Sequence, residues 1–227
     1  MKYKTLIFDA DETLFDFKAS EKDALKKTLI EYNIDYNENH HLEIYKEINT
    51  KIWKELEEGS ITQSELKIER FRRFCEKLEL DFNPENFAYS YMNHLSNSSI
   101  LLDDALDLIQ TLHKKFDLFI ITNGLTKVQT GRIRNSIIAP YFKDIIISEE
   151  VGVSKPNPEI FEIIFKNNNI ENKSSALMIG DSLTSDIKGG NNFGIDTCLF
   201  NPNKIEFKSE IKPVYEISYL KELLNHL

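Results

Sequence analysis

The sequence predicts an α/β fold in which a doubly wound parallel sheet carries an inserted all-helical segment. Short apolar runs of strand length recur along the chain, and most of them alternate with segments of helical periodicity. That alternation is typical of a parallel sheet covered by helices on both faces. Residues 18–97 interrupt it, because they contain no strand-like run and show helical periodicity instead.

The apolar runs predict buried strands, and the segments between the later runs predict helices. The strands are Leu6–Phe8, Leu118–Ile121, Ile145–Ile147, Ala176–Ile179 and Thr197–Phe200. The helices are Ala105–Lys115, Lys127–Ile138, Pro158–Asn168 and Thr184–Phe193, the third preceded by a capping Asn157. Segments of this length suit right-handed crossovers between parallel strands, so we expect a Rossmann-like core.

The interrupting segment predicts four helices. Leu25 and Leu29, for example, lie one helical turn apart and would share a face. Gly-Ser and Asn-Pro pairs separate the later helices. We therefore expect residues 1–17 and 98–227 to form the α/β core domain. Residues 18–97 would form a helical cap domain inserted after the first strand.

The composition argues against nucleic acid as a main partner. The 227 residues include 28 Lys and Arg against 37 Asp and Glu, a formal net charge of -9, whereas binding to phosphate backbones requires clustered basic residues. An acidic protein can still bind a small phosphate when a divalent cation and one or two lysines reverse the local field. The sequence makes no prediction of oligomeric state.

The chain is predicted to be cytoplasmic and to have no membrane partner. Its first residues lead directly into an apolar strand, without the basic start and cleavage site of a signal peptide. No segment approaches the ~20 apolar residues of a membrane span. Cys75 and Cys198 are far apart and form no CxxC pair, which indicates a reducing compartment without a disulfide.

Polar residues follow several of the predicted strands, where ligands bind in an open parallel sheet. Asp9 and Asp11 come directly after the first strand, and two carboxylates at this spacing can serve as nucleophile and general acid/base. An exposed acidic turn is the plainer alternative. A calcium loop is excluded, because the positions that would need glycine and glutamate hold Leu14 and Ser20.

Two further groups can hold a phosphate. Thr122 and Asn123, followed by a glycine, end the next strand. A hydroxyl, an amide and a flexible backbone there can bind phosphate oxygens. Lys155, in a Ser-Lys-Pro sequence, offers a positive charge. An ordinary Asn-Gly turn and a solvated loop lysine are the alternative interpretations.

A fourth group indicates a cation site. Asp181 leaves an apolar strand, and Asp186 lies five residues later, near a predicted helix start. Such a pair can bind a hard cation, although Asp186 could equally be an acid that interacts with the helix dipole. The order of the four groups and their common placement at strand ends favour one site over unrelated turns.

The four groups resemble the motifs of the haloacid dehalogenase (HAD) superfamily, over essentially the whole chain. The matching residues are Asp9-x-Asp11-x-Thr13, Thr122, Lys155 and Gly180-Asp181-x4-Asp186. The resemblance implies a helical cap at residues 18–97. It also implies that Asp9 is the nucleophile of a phosphatase and Asp11 its general acid/base.

The same resemblance implies the ligands of the site. Thr122 and Lys155 would bind the phosphoryl group, with Asn123 beside them. Mg²⁺ would be held by Asp9, the backbone carbonyl of Asp11 and Asp181, with Asp186 in support. The family resemblance therefore implies a magnesium-dependent phosphomonoester hydrolase with an aspartyl-phosphate intermediate.

A narrower resemblance concerns the substrate. Residues 9–15, 122–124 and 148–156 are similar to the YjjG-type bacterial pyrimidine 5'-nucleotidases. This implies a small phosphorylated metabolite as substrate, a nucleoside monophosphate with a pyrimidine base. Glu12 is a departure, since many family members have glycine there.

Other functions remain open at this point. A sugar-phosphate or phosphoglycolate phosphatase of the same fold would differ only in cap contacts. A dehalogenase would share Asp9 but would not need Asp11 to protonate a leaving group. A non-enzymatic phospho-accepting receiver module carries its acceptor after a central strand and has no helical insertion, whereas Asp9 follows the first strand. Phe15 and Phe17 could flank a base or could simply pack.

Overall fold

The apolar runs form one parallel sheet in the computed structural model, which describes residues 2–227 apart from the side chain of Glu57. The strands are β1 Thr5–Phe8, β2 Asp117–Thr122, β3 Asp144–Ile147, β4 Ala176–Gly180, β5 Asp196–Phe200 and β6 Tyr215–Ile217. Their spatial order is β3-β2-β1-β4-β5-β6. The five strands expected from the sequence are all present.

The sheet winds outward in both directions from its two central strands. Phe8 of β1 pairs with Ile120 of β2 on one side and with Ile179 of β4 on the other, both in parallel register. The order of strands reverses between β1 and β4, and crevices at such a reversal are where doubly wound folds bind ligands. This topology confirms the predicted Rossmann-like α/β core.

The central strands are apolar on both faces because the sheet has a core on each side. Leu6 and Phe8 pack into one hydrophobic cluster together with Ile109. Ile7, between them, points to the opposite face and packs with Phe161. Successive strand side chains alternate between faces, so a strand covered on both sides reads as a continuous apolar run.

Five helices of the α/β unit connect these strands, counted within residues 2–227. They are α5 Ala105–Leu112, α6 Thr126–Gln129, α7 Ser148–Val151, α8 Glu159–Asn167 and α9 Lys188–Phe193. The segment Lys127–Ile138, expected to be one helix, is divided: a π-helical turn, Thr130–Arg134, follows α6 and the helix then ends. Gly131 lies inside this turn, and glycine disfavours a regular helix interior.

The sixth strand, β6, was not expected from the sequence. It has only three residues, and Ile217 alone among them is buried. A run this short and polar has no strand periodicity of its own. Its backbone pairing with β5, Cys198 opposite Tyr215, is what makes it a strand.

Lys18–Ser98 form a second compact unit, which is helical as expected. Its helices, together with Phe17 at the start of the first, are α1 Phe17–Glu31, α2 Glu43–Glu57, α3 Gln63–Lys77 and α4 Pro84–Ser96. Thr62 caps α3 in a capping box with Glu65, and Asn83 caps α4 ahead of its first-turn proline. Aromatic rings such as Phe71 and Tyr91 pack 4.8 Å apart in its interior.

The first unit comprises the described residues up to Phe17 together with Ser99–Leu227. In neither unit does a helix within residues 2–227 have the length and apolar character needed to cross a membrane.

Candidate active site

The predicted site residues of the core lie at the carboxyl end of the central strands. Asp9 follows β1, and its backbone N–H donates to the carbonyl of Ile179 in β4 at 2.8 Å. Asp181 follows β4 directly, and Thr122 ends β2. Because β1 lies between β2 and β4, residues that are distant in sequence converge at the strand reversal.

A buried lysine joins two of the carboxylates. Nζ of Lys155 lies 2.5 Å from Oδ1 of Asp9 and 2.7 Å from Oδ1 of Asp186, and it donates to the carbonyl of Ile121 at 2.7 Å. The Lys155 side chain is 1% exposed, so the alternative of a solvated loop lysine is wrong. Burial alone would lower the pKa of Lys155, but the charges of Asp186 and Asp9 outweigh that effect and raise it.

Three carboxylates gather around this lysine. Oxygen atoms of Asp9, Asp181 and Asp186 all lie within 4.8 Å of one another. Burial raises the pKa of Asp9 well above its ordinary value, and Asp186 and Asp181 add to the rise against the opposing charge of Lys155. Burial, followed by the charges of Asp186 and Glu12, also raises the pKa of Asp181 to about 7.

The cluster contains three carboxylates but one lysine, and this excess of acidic groups tests whether a cation suits it. Lys155 alone cannot neutralise the buried carboxylates, and unneutralised charge is costly away from water. Carboxylate oxygens are the ligands that Mg²⁺ prefers. Asp9, Asp181 and Asp186 therefore form a donor set that suits a divalent cation, and a cation there would favour the ionised carboxylates.

Asp186 reaches the cluster because residue 180 is glycine. A Cβ atom at Gly180 would lie 2.2 Å from Oδ2 of Asp186, which no side chain permits. The backbone N–H of Ser182 donates to the same Oδ2 at 3.0 Å. Asp186 lies buried in the first turn of the π-helix Leu183–Ile187, where its carboxylate is bound both to Lys155 and to the backbone after β4.

Asn123 holds the loop that carries Lys155. Its Nδ2 donates to the Lys155 carbonyl at 2.8 Å, and its Oδ1 accepts from the Lys155 N–H at 2.9 Å. Both ends of the side-chain amide are thus committed to the backbone of one residue. This pair of hydrogen bonds fixes the lysine loop against the end of β2.

Asp11 contacts two side chains that the sequence analysis did not select. Nη1 of Arg132 donates to its Oδ1 at 2.6 Å, and Nε2 of Gln129 donates to its Oδ2 at 2.8 Å. The same Nε2 lies 2.8 Å from Oγ1 of Thr122. Gln129 and Arg132 stand on the apolar face of their segment next to buried Ile133, and a polar residue at a core position is the signal that could have found them.

The departure at Glu12 has a conformational consequence. Its φ angle is 60°, in the left-handed region, which glycine adopts without strain. Glu12 also contributes to the raised pKa of Asp181. The chain therefore carries a negatively charged, strained residue where glycine would be relaxed and neutral.

The aromatic residues after Asp11 differ in burial. Phe15 is 0% exposed and belongs to the core of the sheet, so packing is its role in this unit. Phe17 is partly exposed, and its ring centroid lies 4.8 Å from the Arg132 guanidinium carbon.

The doubly wound sheet, with a carboxylate cluster and a buried lysine at its strand reversal, places this protein in the Rossmann-like α/β class. The chain belongs to the haloacid dehalogenase-like hydrolase family, whose model matches residues 3–194.

Relatives that align over nearly their whole length indicate the activity within this family. YfnB of Bacillus subtilis, which is named as a HAD-hydrolase, is 39% identical over 226 residues, covering 100% of this chain and 96% of its own. Pyrimidine 5'-nucleotidase PynA of Streptococcus pneumoniae is 38% identical, covering 100% of this chain and 96% of its own. Pyrimidine 5'-nucleotidase YjjG of Escherichia coli is 32% identical, covering 98% and 97%. The chain is a phosphatase of this family, a phosphoric monoester hydrolase.

The fold has a close solved counterpart. The crystal structure of YfnB from Bacillus subtilis, bound to magnesium, superimposes with a TM-score of 0.94 and covers 100% of this chain and 99% of its own. The 2-haloacid dehalogenase of Pseudomonas syringae, at 24% identity and a TM-score of 0.70, covers 98% of this chain and 97% of its own and shares the fold.

Proposed function

We propose that this phosphatase is a magnesium-dependent nucleoside 5'-monophosphatase that prefers pyrimidine nucleotides and forms an aspartyl phosphate on Asp9. The observation that carries the mechanism is the buried Asp9 carboxylate, which lies 2.5 Å from Nζ of Lys155 and in one cluster with Asp181 and Asp186. The Asp9 nucleophile therefore lies next to a cation, Lys155, that can neutralise charge on an incoming phosphate.

In the first half-reaction, an oxygen of Asp9 attacks phosphorus and the bond to the ester oxygen breaks. Asp11 donates a proton to the departing alkoxide. Lys155 and the Thr122 hydroxyl bind the phosphoryl oxygens, whose negative charge is spread in the transition state.

In the second half-reaction, water attacks the phosphorus of the aspartyl phosphate. Asp11, now ionised, takes the proton of that water. The bond from phosphorus to Asp9 breaks, inorganic phosphate leaves and the Asp9 carboxylate is regenerated. Asp11 thus serves first as acid and then as base.

Magnesium would be held by Asp9, the Asp11 backbone carbonyl and Asp181, with Asp186 in support. When bound, the ion would offset the charge of the carboxylates and the phosphoryl group. Asn123 would act on phosphate binding through the two hydrogen bonds that hold the Lys155 backbone.

The substrate proposal is supported by the two relatives named as pyrimidine 5'-nucleotidases. Phosphoryl contacts cannot distinguish one ester from another, so base preference requires other residues. We propose that residues 18–97 act as a cap that supplies them. A base stacked on an aromatic ring could gain roughly 1–3 kcal/mol, which corresponds to roughly ten- to a hundredfold discrimination.

The place of β1 in the chain order does not distinguish this protein from a phospho-accepting receiver module. β1 is first in the chain but lies in the middle of the sheet, so the position of Asp9 does not argue against a phospho-accepting module. The helical unit at Lys18–Ser98 and relatives named as pyrimidine 5'-nucleotidases favour the enzyme.

We infer a cytoplasmic location, since nucleoside monophosphates are cytoplasmic metabolites. Both cysteines, Cys75 and Cys198, are buried free thiols, as expected for a reducing compartment. The net charge of -9 also supports a small metabolite rather than nucleic acid as partner.

The test is kcat/KM for phosphate release with magnesium across a panel of monoesters. We expect dUMP, dTMP and UMP to exceed AMP, GMP, phosphoglycolate and hexose phosphates. A sugar phosphate or phosphoglycolate that surpasses every pyrimidine nucleotide would refute the nucleotidase and leave a phosphatase of the same fold. Asp9→Asn, assayed in parallel, controls for contaminating phosphatases.

A further inference from the structure

We propose that Gln129 and Arg132 are positioning residues that hold the Asp11 carboxylate and the Thr122 hydroxyl in their working orientations. The proposal rests on the proposed function, because it assigns these two residues to the acid/base and phosphate-binding steps.

Arg132 is a fully buried cation whose charge is directed at Asp11. It is 0% exposed, and its Nη1 lies 2.6 Å from Asp11 Oδ1, whereas the Asp11 side chain is 22% exposed. A buried guanidinium is costly unless it is paired and hydrogen-bonded. The pairing therefore constrains the carboxylate, which keeps one edge toward solvent, where a substrate would approach.

Gln129 connects Asp11 with Thr122. Its Oε1 accepts from Nη1 of Arg132 at 3.0 Å, so the amide nitrogen must face the other way. That nitrogen lies 2.8 Å from both Asp11 Oδ2 and Thr122 Oγ1. Because Thr122 Oγ1 accepts this hydrogen bond, its own proton is left to point elsewhere, and the phosphoryl oxygens are the acceptors that the proposed reaction supplies.

The backbone leaves room for this arrangement at Gly124. A Cβ atom there would lie 2.7 Å from Cγ of Gln129, inside any permitted contact. Gln129 is itself only 1% exposed, so its side chain has little space into which to retreat. The glycine after Asn123 thus serves the position of Gln129 as well as the turn.

The guanidinium of Arg132 is fixed from its other side by aromatic rings. Its central carbon lies 4.8 Å from the Phe17 ring centroid and 5.8 Å from that of Phe15, within cation–π range. Phe15 also forms an isolated β-bridge with Asp11. The segment that carries Asp11 therefore also supplies the rings of Phe15 and Phe17, which contact Arg132.

Positioning of this kind affects proton transfer more than binding. With both Asp11 oxygens held, the proton is delivered in one direction, and misplacement of a reacting group by about 1 Å can cost about a hundredfold in rate. Loss of Arg132 should therefore harm esters whose leaving group needs protonation. Loss of Gln129 should additionally disturb Thr122 and with it phosphate binding.

The test compares Arg132→Met and Gln129→Met, which remove the donors and leave an unbranched apolar side chain. The matched control is Arg134→Met, two residues along the chain, since Arg134 is 37% exposed and pairs with Glu150. The readouts are kcat and KM for an alkyl phosphate and for an aryl phosphate, the latter needing little protonation, together with inhibition by inorganic phosphate.

We expect Arg132→Met to lower kcat for the alkyl ester about a hundredfold, with a much smaller loss for the aryl ester and little change in KM. Gln129→Met should lower kcat for both esters and weaken phosphate inhibition. Arg134→Met should match the wild type. An equal loss for both esters with Arg132→Met, or an unchanged alkyl rate, would overturn the positioning role.

Two further measurements keep the proposal falsifiable. If Arg132→Met does not fold, Arg132→Lys is used instead, because it retains the charge without the planar guanidinium. The ratio of its kcat for the alkyl ester to its kcat for the aryl ester then tests the positioning role. Crystal structures of the variants report the Asp11 rotamer directly, and an unmoved Asp11 carboxylate would refute the proposal. A wild-type protein inactive on every ester would instead refute the proposed function, while the rotamer measurement still tests the positioning.

Discussion

Lys155 and Asp9 are 146 residues apart in the chain, yet Nζ of the one lies 2.5 Å from Oδ1 of the other. Lys155 also pairs with Asp186, so one buried cation binds two carboxylates, one directly after β1 and one in the helical turn after β4. We therefore expect the ion pairs of Lys155 to contribute both to folding stability and to the reaction.

Replacing Lys155 with methionine should destabilise the fold as well as abolish turnover. Asp9 and Asp186 would lose their buried counter-charge, and breaking a buried ion pair in this way costs roughly 3–5 kcal/mol. Urea unfolding without magnesium measures the loss. Lys143→Met is the control, because Lys143 is 56% exposed where it pairs with Asp117. Equal stability of the two variants would contradict the argument.

Asp9→Asn should fold normally and lose turnover by at least about a thousandfold, as nucleophile removal does in other covalent enzymes. An amide in place of the carboxylate removes one charge from a cluster with excess negative charge, so stability should not fall greatly. Mass spectrometry of quenched wild type should detect a phosphoryl group on the peptide containing Asp9. Full turnover by Asp9→Asn would exclude Asp9 as nucleophile.

Asp11→Asn should show a leaving-group dependence. Removing a general acid costs roughly 10²–10⁴ in rate when the leaving group needs protonation. An alkyl phosphate should therefore suffer far more than an aryl phosphate. Steady-state kcat for the two esters gives the ratio, and an equal loss for both would count against the acid role.

Magnesium should stabilise the protein as well as activate it. Ligand binding to the folded state raises stability by about 2.7 kcal/mol at a hundred times Kd, so Tm should rise with added magnesium and EDTA should reverse the rise. Asp181→Asn removes one of the clustered carboxylates and should shrink the shift. The hypothesis fails if Tm and activity are both indifferent to EDTA.

Glu12→Gly should stabilise the protein by about 1 kcal/mol, because it relieves a left-handed backbone at a non-glycine residue. Glu12→Gln removes the charge but keeps the strain, so it separates the two effects. Thermal or urea unfolding of both variants is the measurement. If Glu12→Gln increases stability as much as Glu12→Gly does, the effect comes from the charge of Glu12 rather than from its φ angle.

Sequence patterns predicted strands β1 to β5, the helical segment and the polar groups that follow β1, β2 and β4. Apolar runs buried on both faces and helical periodicity are local patterns, so they can be read without a fold. The carboxyl ends of parallel strands meet at one edge, which is why Asp9 and Asp181 could be expected together. The short β6 was missed because its pairing with β5, not its own pattern, defines it.

The pairing of the side chains in the site depends on tertiary packing and could not be predicted from the sequence. Asp11 meets Gln129 and Arg132 across 118 and 121 residues of sequence, and no local spacing encodes such a contact. Asp186 occupies the first turn of a helix and also the carboxylate cluster, and its approach to Gly180 and Lys155 could not be read from its spacing. The physical reason is that burial and hydrogen-bond partners arise from packing between distant segments, which a one-dimensional pattern does not contain.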